Sequence, residues 1–179
     1  MRLGLDEVGV TEVMGVAEHT RAMSALARGL VILPDIPDPP AAGRPALVAL
    51  ADADAVDEPA RSIFVEIRGF AREALGMDRV PNLWGAIGNN PHYLESTWRK
   101  DQVVMTAGKL AARDKRLVAL GVAMNGGCTY LIEYHAAILR RAGCTDRDLL
   151  EVMGVVDHYN SLNTLSDGMQ LESDIRPPA

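Results

Sequence analysis

Apolar residues along this chain recur mostly at helical spacing. Between Asp146 and Met169 they fall at 149, 152, 153, 156, 159 and 162. That is the i, i+3, i+4, i+7 stripe of an amphipathic helix. Thr145, just after the break at Gly143, is its natural N-cap. Pro59 to Leu75 repeats the pattern with Ile63, Phe64, Ile67, Phe70 and Ala71 on one side, and Gly76 stops it. Pro91 suits the first turn of a helix running to about Ala107. Ala111 to Met124 predicts another, closed by Asn125-Gly126-Gly127, and Cys128 to Ala142 the next, ending at Gly143. No segment alternates with period two. The pattern predicts an all-α chain of about seven helices.

The first helix spans roughly Glu7 to Leu33, and its sequence returns near the other end of the chain. EVMGVAEHTRAMSALARGLVILPDI, Glu12 to Ile36, aligns without a gap on EVMGVVDHYNSLNTLSDGMQLESDI, Glu151 to Ile175. Ten of the 25 aligned pairs are identical, Glu12, Val13, Met14, Gly15, Val16 and His19 among them. The matched residues are too varied for low complexity, so this is a duplication. The chain begins with what would be the last helix of an earlier copy, and one full copy follows. Residues 1–33 thus form an N-terminal helix repeating 140–175. Residues 34–45, with five prolines, form an extended linker, and 46–179 form the main domain. A helix with an apolar stripe and no copy of its own must bury that stripe on the full copy or on a neighbouring subunit. His19 and His158 are equivalent in the repeat, which predicts a packing or capping role for them.

Composition narrows the chemistry. Hydrophobic residues make up 48% and aromatics only 4%, so the core is built from Leu, Val, Ala and Met, as suits close helix packing. A net charge of −6 excludes the basic face that a nucleic-acid binder needs. The one basic run, Arg113 to Arg116, is interrupted by Asp114 and reads as a solvated helix start. Two cysteines make no disulfide framework. No apolar run approaches the ~20 residues that cross a bilayer, and the N-terminus lacks a signal-peptide core. The expectation is a cytoplasmic protein with reduced thiols and no membrane or nucleic-acid partner. The glycines at 126 and 127 form no phosphate loop, and no His, Cys and acid set has metal-ligand spacing, so no cofactor or metal is expected.

The informative stretch is KRLVALGVAMNGGCTYLIEYH, Lys115 to His135. Cys128 opens a helix, where unpaired N–H groups and the dipole favour a thiolate; the alternative is a small buried hydrophobe. His135 lies two turns on, on the same face. At 1.5 Å per residue the two are offset by about 10 Å along the axis, too far for a Cys–His pair within a regular helix.

This stretch resembles the alkylhydroperoxidase D-like (carboxymuconolactone decarboxylase) motif, Glu-x11-Cys-x2-Cys-x3-His. The resemblance runs over about 60–175, with Pro-Asn-Leu-Trp at 81–84 and Asn90-Pro91-His92 before the motif and Asn160 and Asn163 after it. In that family the second Cys attacks peroxide, Glu and His relay its proton, and the first Cys closes the disulfide. On this chain the first Cys is Cys128 and the His is His135, but the second Cys position holds Leu131 and the Glu position Arg116. A damaged redox motif on an intact scaffold implies a divergent enzyme. It would act on a small organic molecule, of a class that includes carboxylates, by acid–base chemistry through His135. Arg116 would hold the anion with its guanidinium fork, unless it is a surface residue paired with Asp114 or Glu133. Tyr130, Tyr134 and Glu133 are further proton-transfer candidates. The other readings are a thiol peroxidase using Cys128, with Cys144 as a distant resolving thiol, and a non-catalytic binding protein. Family members assemble as trimers or hexamers, which implies a homo-oligomer here.

Overall fold

The computed structural model describes residues 4–38 and 46–172, so most of the expected linker lies outside the described residues. Among them helices are the only regular elements. Seven helices follow in order: α1 (Glu7–Gly29), α2 (Ala60–Ala74), α3 (Asn82–Ile87), α4 (Pro91–Met105), α5 (Ala112–Asn125), α6 (Thr129–Arg141) and α7 (Asp146–Gly168). Six of them follow the apolar stripes. The short α3 has no period of its own, because every residue from Leu83 to Ile87 is buried and an all-round apolar segment shows no stripe.

The ends are set by local chemistry. The side chains of Asp6 and Asn90 accept from the N–H groups of Gly9 and Tyr93, capping α1 and α4. Thr145 and Asp148 form a reciprocal capping box on α7. Gly127, at φ 60°, lets the chain turn from α5 into α6 within three residues, while the Cys128 N–H donates back to the Ala123 carbonyl at 3.0 Å. The turn fixes Cys128 at the N-cap of α6.

Helix α5 is central, packed against α1, α6 and α7, and α4 bridges α1 and α2. The main core joins α2, α3, α4, α6 and the second half of α1. Trp84 and Trp98 meet edge to face at its centre, ring centroids 5.2 Å apart. Gly88 is a close-packed point, because a Cβ there would stand 2.2 Å from the Phe64 ring. Gly88→Ala is therefore expected to destabilise by ~1–3 kcal/mol through overpacking, read as a lower urea midpoint at unchanged slope.

The two repeat helices end in different surroundings. On α1, Val16, His19, Thr20, Met23 and Ala27 are buried against the domain of the same chain. On α7 only Leu149 is buried. No described helix is long and apolar enough to cross a membrane.

Candidate active site

Four helices converge on one small buried space. α1 supplies His19, Thr20 and Met23, α3 supplies Leu83 and Trp84, α4 supplies Asp101 and Met105, and α6 supplies Leu131, Tyr134 and His135. The enclosed volume is about 20 Å³, room for a single water.

Two histidines reach this cavity by separate routes. His19 Nε2 stands 3.1 Å from Asp101 Oδ1, and both side chains are buried. A carboxylate only accepts, so this nitrogen carries a proton. His135 Nδ1 lies 3.5 Å from Arg116 Nη1. A guanidinium only donates, so Nδ1 accepts and Nε2 holds the proton of the neutral ring. Burial, then the Arg116 charge, then His19 hold the His135 pKa well below the ordinary histidine range. Its imidazole is neutral at pH 7.

Tyr134 stands next to His135 with its ring edge-on to the imidazole, centroids 5.4 Å apart. Its hydroxyl is buried and makes no hydrogen bond within the described residues. Burial raises its pKa, Asp101 adds to the rise, and Arg116 opposes it. The phenol therefore stays protonated, an idle donor on the cavity wall. Tyr130 stacks on Tyr134 at 6.3 Å but is committed elsewhere, accepting from the Leu83 N–H at 3.2 Å.

Several sequence expectations change here. The run Arg113 to Arg116 is not a solvated helix start: Lys115 and Arg116 are buried. Lys115 Nζ pairs with Glu12 at 3.3 Å, joining α5 to α1. Arg116 pairs with neither Asp114 nor Glu133; no ion pair holds it among the described residues, and its guanidinium lies over the Phe70 ring at 5.6 Å. Arg116 touches the far nitrogen of His135 rather than lining the cavity. Glu133 is exposed, although its neighbours Tyr134 and His135 are buried. His19 lines the cavity and His158 is exposed, so the equivalent positions share no single role. Asp101 was not singled out by any motif. Only its place on α4, opposite His19 in space, brings it to the site.

The thiols lie elsewhere. Cys128 is buried in the main core, its sulfur 3.9 Å from the Ser24 carbonyl. Cys144 belongs to a second cluster beside Leu120 and Leu149 and contacts Arg113. Both are free. The motif position of the attacking thiol does line the cavity, and Leu131 occupies it.

The carboxymuconolactone decarboxylase family matches residues 91–171, which include α4 to α7 and so Asp101, Arg116, Tyr134 and His135. The chain is thus similar to the alkylhydroperoxidase D-like and carboxymuconolactone decarboxylase superfamily, by the family match over just under half of its length and by a solved structure. The crystal structure of the alkylhydroperoxidase AhpD core from Rhodospirillum rubrum is similar at 29% identity and a TM-score of 0.62. The match covers 71% of this chain and 93% of that one. No curated protein sequence matches. These likenesses support a decarboxylase- or peroxidase-like role in general terms.

Proposed function

We propose that this chain is an acid–base enzyme working on a small carboxylate-bearing substrate, with His135 as its central group. The observation that carries the reading is the lining of the cavity. Two histidines, a carboxylate and an idle phenol surround it, and neither cysteine does. Such a set can deliver and accept protons. Peroxide reduction would need a thiol there.

Each group has a distinct task. Arg116 holds His135 in the tautomer whose Nε2 bears the proton, and that proton can be delivered to substrate. Asp101 fixes His19 the other way round: its carboxylate accepts from Nε2–H, which leaves Nδ1 of a neutral ring as the acceptor. In a decarboxylation the C–C bond breaks, CO2 departs, and its electron pair remains on the substrate carbon. A proton must then reach that carbon, and His135 or Tyr134 supplies it. The buried positive charge of Arg116, with no carboxylate paired to it among the described residues, favours an anion in its neighbourhood. The cavity has room for one water as it stands, so substrate entry requires its helical walls to part.

The test is CO2 release from small carboxylated lactones, starting with the class that the matching family is named for. Release that needs His135 and is unchanged in Cys128→Ser supports the reading. Peroxide turnover lost in Cys128→Ser would sink it. A second expectation concerns the thiols themselves. Because both are buried, neither is expected to react with a maleimide in the native chain within minutes, and both should react once urea unfolds it. Rapid labelling of native Cys128 would contradict its placement in the core.

A further inference from the structure

α1 carries chemistry on a second face. Arg21, Ser24, Ala25 and Arg28 fall at i, i+3, i+4 and i+7, so they share one side of the helix. With Val122 and Gly126 at the end of α5 they line an open pocket of about 320 Å³. None of these residues belongs to the cavity around His135. The pocket has two guanidinium groups and no acid in its lining, in a chain whose net charge is −6.

Its polar groups have donors to spare. Arg28 Nη1 donates to the Gly126 carbonyl at 2.7 Å, which satisfies the end of α5 and engages one corner of the fork. Among the described residues no carboxylate forms an ion pair with Arg21 or Arg28. Ser24 lies between them, is 7% exposed, and its hydroxyl makes no hydrogen bond among the described residues. Buried hydroxyls are paired as a rule, and a helical one can turn back to the carbonyl four residues earlier. Thr20 does so, donating to Val16 at 2.7 Å, and Ser24 does not. The repeat sets these groups apart as well. At the aligned positions α7 has Asn160, Asn163 and Asp167, so the two forks and the hydroxyl are no part of the duplicated packing pattern.

Two forks and a hydroxyl suit an acceptor with several oxygens and more than one charge. A carboxylate has two oxygens and a single charge. A phosphate monoester has three terminal oxygens and close to two charges at pH 7. Ala25 and Val122 give the pocket an apolar wall for the organic part of an ester.

We propose that this pocket binds the phosphate group of a small monoester. Arg21 and Arg28 clamp its oxygens with charge-assisted hydrogen bonds, and the Ser24 hydroxyl donates from the α1 wall. The site is separate from the His135 cavity, and its binding requires no reaction there.

The experiment is calorimetric titration of the full chain with phenyl phosphate and with inorganic phosphate, at an ionic strength fixed by chloride. Both are expected to bind, phenyl phosphate more tightly because its ring meets Ala25 and Val122. Arg21→Gln is expected to weaken binding by roughly tenfold or more, the scale of one hydrogen bond to a charged group, with circular dichroism confirming the fold. Arg147→Gln removes the same charge from an exposed place on α7 and should leave affinity as it was. Ser24→Ala is expected to weaken binding several-fold while the urea midpoint of the free chain stays level or rises, since its hydroxyl has no partner to lose. Neither ligand binding at millimolar concentration overturns the proposal. So does an affinity that Arg21→Gln leaves unchanged, or that Arg147→Gln lowers equally, because the field of the whole chain would then explain it. Tighter binding of inorganic phosphate than of phenyl phosphate overturns the monoester as ligand. A Ser24→Ala chain that is less stable and binds as before overturns the part given to the hydroxyl.

Discussion

Turnover is expected to fall ~10²–10⁴-fold in His135→Ala, the range a positioned acid–base group contributes. The loss should be in the rate of the chemical step, because the ring touches the reacting space and makes no charged contact that would hold substrate. His135→Gln keeps most of the volume and should be as inactive, which separates lost proton transfer from a lost wall. The same ring makes stability depend on pH. Its folded pKa lies below its unfolded one, so the folded state refuses a proton that the unfolded state accepts. Stability from this group is complete above the unfolded value near 6.5 and is lost as pH falls below it. The slope is at most about 1.4 kcal/mol per pH unit from one group. Urea midpoints between pH 7 and 5 should fall in the wild type and flatten in His135→Gln. A midpoint that drops equally in both would mean that His135 is not buried as a neutral ring.

How much of this was readable beforehand depends on whether a feature is local. The helices α2 and α4 to α7 follow from stripes and caps, and the Gly127 turn from the Asn125-Gly126-Gly127 run. The family resemblance followed from Cys128, His135 and their spacing. The site did not follow as directly. Sequence order placed His135 and Tyr134 together because they are adjacent on α6. It said nothing of Asp101, whose partner His19 is 82 residues away. The repeat even misled on that histidine: equivalence to His158 argued for a shared packing role, while burial makes only His19 part of the cavity wall. Charge misled as well. A basic run reads as solvated unless its partners are known. Lys115 is buried because Glu12, from the other end of the chain, reaches it, and Arg116 because Phe70 and His135 enclose it. Tertiary partners determine which charges enter a core, and no window of sequence contains them.

His19→Ala is the substitution with the largest expected effect on stability. The ring is 3% exposed and its partner Asp101 7%. Deleting the imidazole leaves a buried carboxylate with no partner, a change that costs ~3–5 kcal/mol. It also opens a void between α1 and α4. Asp101→Asn is milder, because the amide can still accept from His19 Nε2. The two variants therefore separate the terms: a near-native Asp101→Asn beside a severely unstable His19→Ala assigns the loss to the stranded charge. A double His19→Ala, Asp101→Ala variant should recover part of the stability of His19→Ala, since it removes that charge along with its partner. Equilibrium urea unfolding of the wild type, His19→Ala, Asp101→Ala and the double variant closes the cycle and measures the coupling directly. If the double variant is no more stable than His19→Ala, the pair is not coupled, and α1 is held on the domain by its apolar face and by Glu12 instead.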